Sequence, residues 1–231
     1  VFAKQVRENE PNVVVVPGPA LTPLADAGLL GSAVKTILGL WRAPEQLGAT
    51  APWQGDAAVV DIASFGEVGL LPSRRGDDVR PAPLAYGVVA VPRGASDAVV
   101  VVETARNKTG TLTLRGAMVP SRCFPPRGDE KSNERFAPNG ALDTGYACKV
   151  ARQTGTLLLT APPAGMTTTG FYRFRQSEID AVVAAADPSA VIIALPDAQL
   201  GQRLAGRVGD NAALATELET YGVNALIAGA F

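Results

Sequence analysis

Glycine and proline interrupt this chain about every five or six positions, because 24 glycines and 18 prolines stand among its 231 residues, well above average usage. Glycine ends regular structure through its backbone freedom, and proline through its fixed φ and missing N–H. Many short elements joined by tight turns are therefore expected, and long helical bundles are not. With 47% hydrophobic residues against 19% charged, the chain has ample apolar surface for a buried core.

The run Val13-Val14-Val15-Val16, bounded by Asn12 and Pro17, is β-branched on both faces and reads as a short buried strand of a parallel sheet. Leu21, Leu24, Ala25, Ala27 and Leu29 give a helical turn or two, and residues 34–40 a second buried strand. Pro44 suits the first turn of a helix. Residues 57–62, Ala-Ala-Val-Val-Asp-Ile, form a third strand running into Ser64-Phe65-Gly66. Strand and helix alternate, as in an open parallel sheet.

After Pro72 the texture changes, and residues 87–91, 98–103 and 109–114 are short β-rich segments that predict a small antiparallel sheet or barrel. Residues 123–139 read as a polar surface loop. A hairpin follows, residues 145–150 and 155–160, turning around Arg152-Gln153-Thr154. Ala161-Pro162-Pro163-Ala164-Gly165 reads as a hinge, stiffened by two prolines and freed by a glycine. Beyond it, a helix over 176–186 with Ser177 near its cap stops at Asp187-Pro188. A strand over 190–195 follows, then a helix over 211–221 capped by Asp210 or Asn211 and ended by Gly222. The predicted fold class is α/β: a partial parallel-sheet subdomain (1–72), a β-rich, barrel-like subdomain (73–160), a hinge (161–165) and a small α+β C-terminal domain (166–231).

Lys plus Arg is 21 and Asp plus Glu is 22, a formal charge of −1, so no global field favours a nucleic acid partner. There is no histidine, which removes Ser-His, Cys-His and His-metal chemistry together. Two cysteines, Cys123 and Cys148, are too few for a disulfide framework or a structural zinc site, and read as buried or idle thiols in a reducing, cytoplasmic setting. No apolar run approaches the roughly 20 residues of a membrane span. The start Val1-Phe2-Ala3-Lys4 is not that of a signal peptide, and suggests a processed chain or an excised fragment.

No complete phosphate loop and no dinucleotide fingerprint occurs. The order of weaker motifs is more informative: Ala43-Pro44, Phe65-Gly66-Glu67, Gly110-Thr111-Leu112-Thr113-Leu114-Arg115-Gly116, Asp143-Thr144-Gly145, Gly155-Thr156-Leu157, then Tyr172-Arg173-Phe174 leading to Glu178-Ile179-Asp180. This succession resembles the latter half of an AMP-forming acyl-CoA synthetase, of the adenylate-forming superfamily of acid–thiol ligases, luciferases and peptide-synthetase adenylation domains. The resemblance implies that ATP and Mg²⁺ activate a small carboxylic acid, and that coenzyme A or another thiol accepts the acyl group after the small domain swings about the hinge. Such chemistry needs charge stabilisation and no histidine.

By resemblance, Ala43, Pro44, Phe65, Gly66 and Glu67 flank the adenine and acid pockets, Glu67 is the magnesium ligand, and Thr144 and Arg173 are the catalytic residues. Other readings of the same residues stand beside these: Glu67 as a solvated loop residue, Phe65 as core, Thr144 as part of a turn, and Arg173 as the ion partner of Glu178. Arg74-Arg75 and Arg127–Lys131 read as solvated faces. The sequence also departs from the family pattern. Tyr146 stands where an aspartate would hold the ribose hydroxyls, and Pro162 where a second ribose-contacting arginine would fall. A phenol cannot accept two charge-assisted hydrogen bonds as a carboxylate does. A divergent relative that keeps the fold without adenylation is thus the alternative.

Overall fold

A computed structural model describes residues 1–50, 52–66, 69–76, 81, 83–92, 99–122, 135–169, 172–197 and 200–231. The chain divides into two compact units, Val1–Pro163 and Ala164–Phe231.

The first unit opens with helix α1 (Phe2–Asn9), which the sequence reading passed over, and the valine run follows as β1 (Val13–Pro17). Helix α2 (Leu21–Asp26) leads to β2 (Thr36–Trp41), and a 3-10 turn at Pro44–Ala49 leads to β3 (Ala58–Ser64). β1, β2 and β3 pair in parallel, with Val14, Ile37 and Val59 in one row and Val16, Gly39 and Asp61 in the next. A fourth strand, β4 (Leu70–Arg74), runs antiparallel to β3 and makes the sheet mixed. Pro72 lies mid-strand there, which disguised it in the sequence; an edge strand tolerates a proline because its outer N–H has no ladder partner. β4 crosses the expected limit at 72, so this sheet extends to Arg74.

Gly18 and Trp41 approach closely, since a Cβ built on Gly18 would stand only 2.2 Å from Trp41 Cε2 of the indole ring. Gly18→Ala is expected to destabilise the first unit by about 1–3 kcal/mol through overpacking, read as a lower urea midpoint at unchanged m-value.

The barrel strands are β5 (Leu84–Ala85), β6 (Gly87–Pro92), β7 (Val99–Arg106), β8 (Thr111–Gly116), β9 (Leu142–Ala151) and β10 (Thr156–Ala161), in the spatial order β5-β10-β9-β8-β7-β6. Residues 84–92 serve both edges of this sheet: Leu84 and Ala85 pair with β10, whereas Gly87–Pro92 pairs with β7. The Thr104 hydroxyl reaches the carbonyls of both Ala85 and Gly87. The antiparallel sheet thereby curls back on itself, which removes most of its free edge. Its interior (Leu84, Val102, Leu112, Leu114, Tyr146, Cys148 and Leu157) is continuous with Ala63, Phe65 and Leu71 of the first sheet. β10 takes in Ala161, the first residue of the expected hinge.

In the second unit β11 (Met166–Thr169), β12 (Tyr172–Arg175), β13 (Val191–Asp197) and β14 (Gly201–Arg207) form an antiparallel sheet ordered β12-β11-β14-β13. Helices α3 (Gln176–Ala186), α4 (Asn211–Thr220) and α5 (Ala225–Ala228) accompany it, and Ile179, Val183, Ile192, Leu204 and Ile227 form its core. Asp210 caps α4, accepting from the Ala212 and Ala213 amides at 3.0 Å each. The N-cap of α3 is Arg175, with no side-chain cap bond, and Ser177 falls inside the first turn instead of at the cap. After α3, hydrogen bonds from the Ser189 hydroxyl and amide hold the Asp187 carboxyl below its ordinary range. This lowered folded value contributes stability above the unfolded pKa that is lost as pH falls through the folded one. Ser189→Ala, which removes the hydroxyl and keeps the amide, is expected to move the Asp187 titration part of the way up toward the usual carboxylate range by NMR, and an unchanged midpoint would rule out the hydroxyl as the leading cause.

Candidate functional site

β8 and β9 slip in register where Thr111 faces Ala147 but Thr113 faces Asp143, so residues 144–146 bulge opposite Leu112. Asp143 and Thr144 fill this bulge with their own side chains. Asp143 Oδ2 accepts from Asn107 Nδ2 at 2.8 Å and Thr111 Oγ1 at 2.9 Å, and Oδ1 accepts from the Gly145 amide at 2.9 Å. The buried Thr144 hydroxyl donates to the Leu112 carbonyl at 2.8 Å and accepts from the Tyr146 amide at 3.2 Å. Gly145 takes φ +75°, with Pro163 Cβ only 3.1 Å from where its own Cβ would lie. A side chain there would meet both backbone strain and a neighbour.

The bulge turns Tyr146 into the barrel interior, where its ring is wholly buried and meets Phe65 edge-to-face at a centroid distance of 5.4 Å. Phe65 is itself buried and ends β3 in a tight turn: its amide donates to the Gly69 carbonyl at 3.0 Å, Gly66 sits at φ +68°, and the Ser64 hydroxyl donates to the Gly66 carbonyl at 3.1 Å. Glu67 lies outside the described residues, as do Cys123 and the 127–131 cluster. Ala43 is buried, and its carbonyl accepts from the Gln46 amide at 3.0 Å to start the 3-10 turn at Pro44, which runs beside β10. Tertiary structure thus brings Phe65, Thr144 and Tyr146 together within the first unit. Arg173 belongs to the second unit, half-buried on β12 opposite Thr168. There the ion pair across the start of α3 is Arg175 Nε to Glu178 Oε1, at 3.7 Å.

Cys148 faces the same interior, and burial pushes its thiol up, with Asp143 adding to the rise and Arg106 opposing it. A thiol held protonated in an apolar core is a poor nucleophile.

Sequence reasoning missed the most polar buried feature. Asp61, fully buried on β3, accepts from Trp41 Nε1 at 2.8 Å through Oδ1, while Arg75 clamps both its oxygens, Nε to Oδ2 at 2.8 Å and Nη2 to Oδ1 at 3.0 Å. The Arg75 side chain is only 4% exposed, so of the Arg74-Arg75 pair read as a solvated face only Arg74 is exposed. The available signal was a lone carboxylate inside Val-Val-Asp-Ile, because a charge in a buried strand requires partners. Elsewhere in this unit, an open cleft of about 450 Å³ lies between Leu30, Val34, Ile37 and Trp53, with Lys35 and Asp56 among its lining, and none of the sequence-predicted site residues borders it. Among the described residues no cluster of three or more His, Cys, Asp or Glu side chains is placed to hold a metal ion. No helix among them is long and apolar enough to cross a membrane.

This architecture is shared with part of several solved structures of adenylating enzymes and acyl-CoA ligases. It matches the amide bond synthetase McbA from Marinactinospora thermotolerans at TM-score 0.65 and 15% identity, over 94% of this chain and 47% of that one. A malonyl-CoA ligase, in a ternary product complex with methylmalonyl-CoA and AMP, matches at TM-score 0.62 and 16% identity, over 94% and 50%. A fused adenylation–carrier-protein di-domain from Klebsiella oxytoca matches at TM-score 0.63 and 14% identity, over 94% and 43%. The chain therefore spans about half the length of these solved structures, and at such identity the likeness is one of fold. No protein-family model and no curated protein matches it in sequence.

Proposed function

We propose that this chain keeps the adenylate-forming fold as an acyl-handling or interaction module and does not itself hold the ribose of a nucleotide. One observation carries the reading: the Tyr146 ring is wholly buried edge-to-face on Phe65 in a closed apolar core. By the motif resemblance, these positions would border ATP. The residues present do not fit that ligand, because Tyr146 offers no carboxylate, Pro162 no guanidinium, and the Thr144 hydroxyl is already engaged with Leu112 and Tyr146. Aromatic core packing and two charge-assisted bonds to ribose are incompatible uses of one position.

A second reading is favoured by the division into two units after Pro163. In it, the chain is the C-terminal part of a cytoplasmic acid–thiol ligase that activates a carboxylic acid with ATP and Mg²⁺ and passes the acyl group to coenzyme A or a carrier-protein thiol. Residues 161–165 would then be the hinge, Ala43, Pro44, Phe65, Gly66 and Glu67 the nucleotide-side residues with Glu67 on magnesium, and Thr144 and Arg173 the catalytic pair.

Calorimetric titration of the chain with Mg·ATP and with an acyl-adenylate sulfamate separates the two. No binding heat from either is the expected result. Micromolar or tighter binding of the sulfamate would overturn the first reading in favour of the second.

A further inference from the structure

The connection that carries the chain from β1 to β2 is short on helix. The six residues of α2 rise roughly 9 Å, whereas a strand of five or six residues spans about 17–20 Å. After Asp26 the chain reaches Lys35 through turns, with Gly28 at φ +64° and Gly31 at φ +73°. Helix therefore covers only part of the packed face. The cleft of about 450 Å³ opens where it runs out, beside the residues that enter β2 and β3.

Leu30, Val34 and Ile37 make its apolar floor, and Trp53 makes a rigid side. The Trp53 indole is held by its Nε1 donating to the Ala57 carbonyl at 3.0 Å, and a Cβ on Gly55 would run into the ring. Two opposite charges also border the cleft, Lys35 and Asp56, both of them exposed. The Lys35 backbone is pinned on both sides: its amide donates to the Asn12 carbonyl at 2.8 Å and its carbonyl accepts from the Ala58 amide at 2.9 Å. Alternation along the strand then puts its side chain on the face of Ile37. Among the described residues neither Lys35 nor Asp56 has an ion-pair partner. An apolar floor with a few placed polar groups, in a volume of this size, is the usual form of a small-molecule site.

We propose that this cleft binds a zwitterionic small molecule with an apolar body, of the class of a free α-amino acid with a large apolar side chain. The side chain lies along Trp53 and Leu30, the carboxylate meets Lys35 and the ammonium meets Asp56. Charge complementarity selects this class, because a simple fatty acid leaves Asp56 unmatched and a simple amine leaves Lys35 unmatched. The cleft is at the entrance ends of the parallel strands, whereas Ala43, Pro44 and Phe65 follow the exit ends of β2 and β3. It is thus remote from the positions that by resemblance border ATP, and the inference holds whether or not ATP binds.

The test is titration of the protein with L-phenylalanine, followed by calorimetry and tryptophan emission. Saturable binding with a dissociation constant on the order of 1 mM is expected, since exposed charge pairs add little. The emission change should vanish in Trp53→Phe while the calorimetric binding persists. Phenylalaninamide, which lacks the carboxylate, and N-acetylphenylalanine, which lacks the ammonium, should each bind about fivefold more weakly, the worth of one exposed ion pair. Lys35→Gln should erase the preference over the amide alone, and Asp56→Asn the preference over the acetyl compound alone; both residues are exposed, so both variants should fold. No saturable binding up to about 10 mM, an emission change that survives Trp53→Phe, or preferences unaltered in the two charge variants would each overturn the proposal.

Discussion

Asp61→Ala is expected to lower the stability of the first unit by about 3–5 kcal/mol, the loss seen when one partner of a buried ion pair is removed. The magnitude follows from what remains: the Arg75 guanidinium, nearly sealed from water, loses both its acceptors, and Trp41 Nε1 loses its own. Both tryptophans, Trp41 and Trp53, belong to the first unit, so fluorescence-monitored urea unfolding isolates the relevant transition. Asp61→Leu combined with Arg75→Met is expected to recover much of the loss, because replacing a whole buried pair with apolar groups is far less costly than breaking it. Recovery should stay incomplete, since an unpaired indole N–H still costs about 1–3 kcal/mol. A single variant within about 1 kcal/mol of the parent chain would mean that water reaches the network.

Tyr146→Asp carries the functional reading. If position 146 is core, removing an aromatic ring from a packed cluster costs about 3–5 kcal/mol, and seating a carboxylate beside Phe65, Leu112 and Leu157 adds a desolvation penalty. The variant is therefore expected to be severely destabilised and to show no ATP binding. Should it fold with near-parental stability and bind Mg·ATP where the parent does not, the bulge would be a ribose site that one substitution had closed, and the ligase reading would return.

Much of the fold was legible because the short elements are strongly patterned. Four β-branched residues between Asn12 and Pro17 have few alternatives to a strand, and β1 forms there. The apolar spacing of Ile179 and Val183, with Pro188 just beyond, places α3 at Gln176–Ala186. Weaker local signals misled or stayed silent. Pro72 hid β4. Helix α1, with Val6 as its buried residue, lacks the repeated apolar spacing on which a helix is read. β14 (Gly201–Arg207), with Leu204 as its one large apolar residue among small and polar ones, depends on its full-length pairing with β13.

At the candidate site the division is sharper. Asp143-Thr144-Gly145 is a turn sequence by composition, yet it lies inside β9 as a bulge because its side chains bond the neighbouring strand. No local signal tells a hydroxyl facing a cleft from one facing the Leu112 carbonyl. The meeting of Phe65 with Tyr146, 81 positions apart in the chain, depends on the curl of the barrel against the end of β3.

Sequence by itself determined the short alternating elements, the turns that punctuate them and the motif order that resembles the adenylate-forming enzymes, because propensity and periodicity act over a few residues. Only the tertiary structure decided that Tyr146 is core, that Asp61 and Arg75 are buried partners, and that a cleft opens beside Trp53 where β2 and β3 begin. Each depends on which strands become neighbours, and strand pairing is settled by burial summed over the whole unit.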